Sequence, residues 1–389
     1  MKKLFIKLLN TYKSFRKWRL GLSGKTLEDH HKERVVSGKA WEEFCDTLKS
    51  AGTAMVYQGA PTDPFNQAEG YRYLTRLTRV ALENFVEFAD PTTPKLRRLV
   101  HETVKIGADN PDNYYQNSKI SGEYEYRIFG TRGTVKYLSF GTQKGDYGKT
   151  GNMEPSGLLE ASELEIESDG SFEIFLSREQ KGKNWLKMEP ETSLVMVRQT
   201  FLDRDTEELA YVQIERLDEK AEPKPITPQL VDEGLTTAGA FVAGCALFFT
   251  NWSKGFQKHT NELPLFDPEK STKAGGDPNI DYYHSYWKIG DDEALVIDFT
   301  PPECEHWNFQ LNNHWMESLD YQHFSVHTNK HLANYRADGS VRLIVSHVDP
   351  EKDNWINTVG HSQGTMLLRW VKARERIQPS IKLMKFSEL

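Results

Sequence analysis

The chain has 389 residues, 38% hydrophobic, 12% aromatic and 27% charged, which is too long for one ordinary domain and too apolar for a disordered one. Its net charge of −7 is uneven: residues 1–25 hold Lys2, Lys3, Lys7, Lys13, Arg16, Lys17, Arg19 and Lys25 and no acid, which leaves −15 on the remainder. An acidic body has no basic face with which to neutralise phosphates, so nucleic acid is excluded as its partner.

The first twenty residues, MKKLFIKLLNTYKSFRKWRL, place Leu4, Leu8, Tyr12 and Phe15 at helical spacing among cations. Lys7 interrupts the apolar stretch and no small-residue cleavage site follows, so a basic amphipathic arm over 1–37 is expected rather than a secretion signal. Peripheral contact of residues 1–20 with an anionic membrane is one reading; packing on the acidic body or on a neighbouring copy in a homo-oligomer is the other. Residues 38–118 read as a helical region, with Trp41, Phe44, Cys45 and Leu48 on one face and a stripe through Tyr71, Leu74, Leu77, Ala81, Phe85 and Phe88.

After Asp109-Asn110-Pro111 the texture changes to short β-rich runs separated by turn residues, and a first β unit is expected over 119–218. Its runs are Tyr124–Phe129, Val135–Phe140, Leu164–Ile166, Phe172–Leu176, Leu194–Phe201 and Ala210–Ile214. A Pro-rich linker and a helix from about 229 to 252 occupy 219–280, and a second β unit covers 281–389. The apolar run Ala238–Phe249 contains Gly239 and Gly244 and falls short of the ~20 residues that span a bilayer, so it reads as a core helix. Cys45, Cys245 and Cys304 are far apart and form no CxxC pair, the usage of reduced thiols in a cytoplasmic protein.

The second β texture repeats the first. Asp169-Gly170-Ser171, Ile174, Ser177, Asn184-Trp185 and Arg198 recur as Asp338-Gly339-Ser340, Leu343, Ser346, Asn354-Trp355 and Arg369; upstream, Tyr137 aligns with Trp307. Asp-Gly-Ser between strands is a hairpin turn with Gly at positive φ. Each Arg lies in an apolar strand and requires a carboxylate, backbone carbonyls or a ligand. The fold class expected is α+β: two related β-sandwich, jelly-roll-like units with a helical N-terminal region and an inserted helix.

The segments HWNFQLNNHWMESLDY, YRADGSVRLIVSHVDP and NWINTVGHSQGTMLLRW, with NWLKMEPETSLVMVRQTF more loosely, resemble the bacterial domain-of-unknown-function 1214 family. The resemblance is clearest over residues 280–372, extends over 66–218 and leaves out the N-terminal 40. It implies β-sandwich or jelly-roll modules with helical insertions, and no agreed activity.

Gly360-His361-Ser362-Gln363-Gly364 fits the G-x-S-x-G pattern of a nucleophile elbow, yet no His or Asp follows Ser362 to complete a triad in hydrolase order. A glycine-bounded loop leading into the last strand is the reading adopted. His323, His327 and His331 are four apart, a metal-binding spacing on a helix, but their segment lies between strand-like runs; no metal and no organic cofactor are assigned. His361, Glu317, Asp320 and His306 mix acid and base types and are the catalytic candidates, with His361 as general acid or base. Arg369, Tyr286, Trp307, Trp315 and Tyr321 are the ligand-binding candidates, Arg369 for an anionic group and the aromatics for a flat apolar or sugar-like one. Because the Arg recurs in both units while His361 does not, an architectural role for Arg198 and Arg369 is favoured, with function left to the histidine.

The function expected is that of an enzyme acting on a small apolar or aromatic molecule by acid/base chemistry. The alternative is a non-catalytic sandwich that binds a lipid-like or carbohydrate ligand, in the cytoplasm or peripheral to the inner membrane.

Overall fold

The structure is a computed structural model and describes residues 25–145, 147, 152–217 and 225–389. The basic stretch over residues 1–20 and the beginning of the Pro-rich linker, residues 218–224, lie outside the described residues.

Among the described residues, sixteen strands form two sandwiches of eight. In the first, β1 (Asn113–Lys119), β7 (Thr192–Thr200), β3 (Tyr137–Lys144) and β4 (Glu154–Glu160) make one sheet in that order, and β8 (Tyr211–Arg216), β2 (Tyr126–Thr131), β5 (Ser171–Ser177) and β6 (Trp185–Lys187) make the other. In the second, β9 (Ile280–Lys288), β15 (Gln363–Val371), β11 (His306–Leu311) and β12 (His327–Asn329) repeat the first sheet. β16 (Ser380–Lys385), β10 (Glu293–Phe299), β13 (Val341–Ser346) and β14 (Trp355–Asn357) repeat the second. The copies agree strand for strand, including the one parallel pairing in each, β5 with β6 and β13 with β14.

The repeated residues have the roles their chemistry suggests. Gly170 and Gly339 sit at φ +83° and +80°, and the preceding Asp accepts the backbone N–H of Ser171 or Ser340. The Asn184 amide donates to the Glu165 and Glu173 carbonyls, and Asn354 donates to those of Asn334 and Arg342. Both tryptophans donate their indole N–H to a serine carbonyl, Trp185 to Ser177 and Trp355 to Ser346. One alignment needs correction. Tyr137 pairs across β7 with Thr200 and His306 pairs across β15 with Val371, two residues beyond the repeated Arg in each case, so Tyr137 corresponds to His306 rather than Trp307.

Alternation along the strands builds each core. Val195 and Val197 of β7 point between the sheets with Tyr126, Ile128, Phe140 and Ile174, while Met196 and Arg198 point out of the sandwich. In the second copy Met366, Leu368 and Trp370 of β15 pack with Trp287, Trp307 and Phe309, and Leu367 and Arg369 point out.

The helices cover those outward faces. They are α1 (Leu27–Val36), α2 (Lys39–Ala51), α3 (Pro64–Leu82), α4 (Pro228–Phe256) and α5 (Pro268–Lys273). Thr26 caps α1 with a capping box, and Asp63 and Thr227 cap α3 and α4, each ahead of a Pro in the first turn. By composition alone α4 is long and apolar enough to cross a membrane, but 56% of its most apolar window is buried inside the protein. Ala238, Val242, Cys245 and Phe249 of α4 pack with Phe44, Tyr73 and Leu77, and with Tyr286 and Leu367 of the second sandwich. Asp232, buried near its start, holds Nδ1 of His31 at 2.7 Å and Nε of Arg34 at 2.9 Å, fixing α1 across it.

Three segments depart from the sequence reading. The N-terminal helical part ends at Glu87, and residues 113–119, all but the last inside the stretch read as helical, form β1; Leu164–Ile166, read as a β run, lies between strands in a connection. β4, with the sequence EPSGLLE, carries a Pro and a Gly that mask it as a strand. Gly157 is needed there because a Cβ would lie 2.4 Å from the Lys187 carbonyl oxygen.

Candidate functional site

The outward faces of β1 and β7 and of β9 and β15 enclose, beneath α4, a cavity of about 190 Å³. Both repeated arginines line it, as do Tyr115 and Tyr282, which stand directly across the strand pairing from them: Tyr115 opposite Arg198 and Tyr282 opposite Arg369. The turns that introduce these tyrosines also correspond. Asn110-Pro111 stands five residues before Tyr115 and Asp277-Pro278 five before Tyr282, and the backbone N–H of Asn110 and of Asp277 donates to the respective phenol oxygen at 3.1 and 3.0 Å. With that oxygen accepting a backbone N–H, each phenol is left to direct its own O–H elsewhere.

The two arginines are held differently. Arg369 is buried, and its guanidinium donates to Asn308 Oδ1 and Gln310 Oε1 on β11 and to the Ala108 carbonyl at 2.6 Å. No carboxylate touches it, and burial pushes its pKa below the usual arginine value, offset in part by Tyr115 and Tyr282. Arg198 is half-buried and donates to the Gly275 carbonyl at 2.9 Å. Gly141, on the same face of β3, offers it no side-chain acceptor; a Cβ there would lie 3.8 Å from Arg198 Nη1, an ordinary contact.

The acids around the cavity are already engaged. Asp109 accepts from the backbone N–H of Ser318 at 3.0 Å and from its hydroxyl at 2.8 Å. Asp277 accepts from the Asn279 N–H at 3.0 Å and from the Tyr137 hydroxyl at 3.5 Å. Burial pushes the phenol of Tyr115 up and that of Tyr282 up to about 12, so both are neutral donors. Val80, Leu194, Met196, Phe241, Phe249 and Trp252 make up much of the remaining wall, with Asn84, Asn113, Asn117, Ser271 and His284 as its further polar residues. Beside Tyr282 lies His284, whose ring is stacked between those of Tyr282 and Phe256 at interplanar angles of 8° and 5°. Burial pushes His284 down to about 3, so it is neutral near pH 7.

Each copy closes the site of the other. Asp112, two residues past Asn110, accepts Nε2 of His306 at 3.4 Å, Nε2 of His327 at 3.2 Å and the amides of Asn308 and Asn329, all from the second sandwich. Burial alone would raise the Asp112 pKa, but the hydrogen bonds and charge of the two histidines prevail and hold it far below the carboxylate range. Reciprocally, the Asn279 amide donates to Glu160 of the first sandwich at 2.8 Å.

Of the catalytic and ligand-binding candidates named from sequence, Arg369 alone lines the cavity. His361 packs its ring on Phe65, with centroids 4.6 Å apart, and its Nδ1 lies 3.1 Å from the Thr358 carbonyl. Glu317 is paired with Arg76 at 2.6 Å and accepts the Asn313 amide; burial pushes its carboxyl up against the pull of Arg76. Asp320 holds Nδ1 of His323 at 2.8 Å near the surface. His306 is committed to Asp112. The four catalytic candidates are thus distributed over separate contacts.

Among the aromatics, Tyr286 is bonded to His314 at 2.8 Å, and Trp307 lies in the second core with its indole N–H on Tyr335. Trp315 donates to the Asn66 carbonyl, and Tyr321 lies under Lys105, whose ammonium is 4.7 Å from the ring centroid. His327 and His331 do not share a helix with His323: they contact Asp112 and Asp203 instead. Among the described residues no group of three or more His, Cys, Asp or Glu is arranged to hold a metal. Ser362 is exposed, one residue before β15, in a turn with no helix after it.

The lining residues not chosen as site candidates from the sequence include Tyr115, Tyr282 and His284, with Arg198 assigned to architecture. Their signal was present: a Pro-containing turn followed at fixed spacing by Tyr, on the strand that pairs with the repeated Arg.

The family described as Protein of unknown function (DUF1214) matches residues 141–201 and 294–375, one segment in each sandwich. The chain is similar to an uncharacterized protein from Burkholderia cenocepacia of known crystal structure, with 49% identity over 92% of this chain and 99% of that one and a TM-score of 0.90. A Vibrio parahaemolyticus protein of known structure aligns over 82% of this chain and 98% of its own at 12% identity, with a TM-score of 0.47. No curated protein matches the chain.

Proposed function

This chain belongs to the DUF1214 family, and we propose that its two sandwiches together form a binding protein for a small, largely apolar molecule that carries a carboxylate. The observation that supports this reading is the imbalance of the cavity's polar end. Two guanidinium groups and two phenol hydroxyls face it, and the lining acids Asp109 and Asp277 are taken up by other donors. A carboxylate satisfies such a set, because guanidinium and hydroxyl donors to an anion make the stronger class of hydrogen bond. The aliphatic and aromatic wall accommodates the remainder of the ligand. Binding is preferred to catalysis because His361, Glu317, Asp320 and His306 lie outside the cavity and are held by other residues.

The test is a titration of the full chain with small carboxylic acids bearing aromatic or alicyclic bodies, followed by Trp252 fluorescence and calorimetry. Carboxylates are expected to bind at least tenfold more tightly than the matched primary amides. Equal binding of acid and amide would remove the reading.

A further inference from the structure

Asn113 opens β1 and, two residues before Tyr115, stands on the same outward face and in the cavity wall. Its Oδ1 accepts the Thr200 hydroxyl at 2.7 Å and the Asn110 amide at 3.3 Å. The orientation is fixed in turn by the backbone. The N–H of Asp112 donates to Asn110 Oδ1 at 3.0 Å, which leaves the amide N–H of Asn110 for Asn113 and turns the Asn113 oxygen toward it. Asn113 Nδ2 is left without a partner among the described residues, and the side chain is only part-buried, open to the cavity it lines. The register brings this donor to Arg198. Asn113 pairs with Thr200 and Tyr115 with Arg198, so Asn113 and Arg198 are diagonal neighbours about 7–8 Å apart, a gap that a long side chain spans. Both also line, with Thr200, a water-sized space of about 20 Å³ beside the cavity. Against burial, which pushes both phenols up, the charges of Arg369 and Arg198 pull on Tyr115 and Tyr282 alike, so these groups share one end of the cavity. In the second copy the position of Asn113, two before the tyrosine, is held by Ile280.

We propose that Asn113 is a specificity-determining residue of this site: its free N–H, with Arg198, Tyr115 and Tyr282, encloses a single carboxylate, which makes the ligand class monocarboxylic acids. This rests on the carboxylate reading above. A carboxylate carries about four acceptor sites on its two oxygens, and these four residues hold donors that the rest of the protein leaves free. A second carboxylate on the ligand would meet Arg369, which already donates to Asn308, Gln310 and the Ala108 carbonyl, and the aliphatic side chain of Ile280. An anion there lacks the donors that offset its loss of water.

The probes are benzoate, benzamide and terephthalate, titrated calorimetrically at pH 7 into the full chain and two variants. Benzoate is expected to bind the unmodified chain at least tenfold more tightly than terephthalate. Asn113→Asp keeps an acceptor for Thr200 and Asn110 and puts a negative oxygen where the free N–H was. It is expected to bind benzoate ten- to hundredfold more weakly, the value of a lost hydrogen bond to a charged group, with benzamide changed by less than about threefold. Asn113→Ile, which installs the residue of the second copy, is expected to weaken benzoate about tenfold. Unfolding midpoints identify a variant that fails to fold, and the other then decides. If terephthalate binds as tightly as benzoate, or if the variants bind benzoate as the unmodified chain does or lose benzamide equally, the proposal is overturned, while the preference of the unmodified chain for acid over amide keeps the carboxylate reading. If the unmodified chain shows no such preference, it is the carboxylate reading that falls.

Discussion

Replacing each repeated arginine by methionine separates architecture from binding. In Arg369→Met three buried acceptors, Asn308 Oδ1, Gln310 Oε1 and the Ala108 carbonyl, lose their donor together. An unsatisfied buried acceptor costs about 1–3 kcal/mol, and losing the charge relieves some desolvation while cavity water reaches part of the gap. The net expectation is a destabilisation of about 3–5 kcal/mol. In Arg198→Met the Gly275 carbonyl loses its donor in a half-buried setting, for about 1 kcal/mol. Urea unfolding of the two variants measures the difference. The same variants are titrated with benzoate, where loss of a charged hydrogen bond worth about 1.5–3 kcal/mol corresponds to a ten- to hundredfold weaker complex. Arg198→Met is the decisive protein, with near-normal stability and much weakened binding. If it instead unfolds as easily as Arg369→Met, or binds benzoate as the unmodified chain does, the arginines are architectural and the assignment of the cavity fails.

Asp112→Asn is expected to be destabilised by about 3–5 kcal/mol at pH 7, because it removes the anion on which four donors of the other sandwich converge. Since the folded Asp112 pKa lies below the unfolded one, its contribution is fully present above about pH 4 and declines as pH falls below the unfolded value; urea midpoints from pH 6 to pH 3 should show a shallower acid slope in the variant. Gly107→Ala is expected to cost several kcal/mol and to weaken ligand binding, since Gly107 is at φ +65° and a Cβ would lie 2.5 Å from the Phe249 ring in the cavity wall. Gly339→Ala, at φ +80° with open space around it, should cost only about 1 kcal/mol and leave binding unchanged, so equal effects of the two on stability and binding would contradict the placement of Gly107.

The repeat was legible because turn and anchor residues act locally. Asp-Gly-Ser and Asn-Trp each meet partners within their own sheet or hairpin, so residue type and spacing carry the information. What the sequence concealed were β1 and β4. β1, NYYQNSK, has polar residues on both faces because one face meets the partner sandwich rather than solvent, which defeats the alternation that marks a half-buried strand. The site was concealed for the same reason. Tyr115 and Arg198 are 83 positions apart and become neighbours through β1–β7 pairing, and their meeting with Tyr282 and Arg369 requires the two sandwiches to face each other. His306, Glu317 and His361 attracted attention as chemically versatile types, yet each sits where burial and a fixed partner account for it.

The divergence between the copies carries the argument for a ligand further than their likeness does. At the two positions of β11 that clamp Arg369, Asn308 and Gln310, the first copy has Ser139 and Gly141 on β3, as the pairing of Ser139 with Arg198 and of Asn308 with Arg369 fixes. Ser139 Oγ is buried without a partner, and Gly141 has no side chain to offer. A buried cation short of partners destabilises the fold, so Arg369 requires its acceptors, whereas the half-buried Arg198 is less dependent on them. One copy keeps the acceptors and the other lacks them. Arg369 then acts as a fixed positive wall, and Arg198, tied to Gly275 at 2.9 Å, keeps guanidinium N–H groups for whatever enters. On the proposed carboxylate reading, Arg369 sets the field and Arg198 makes the contact.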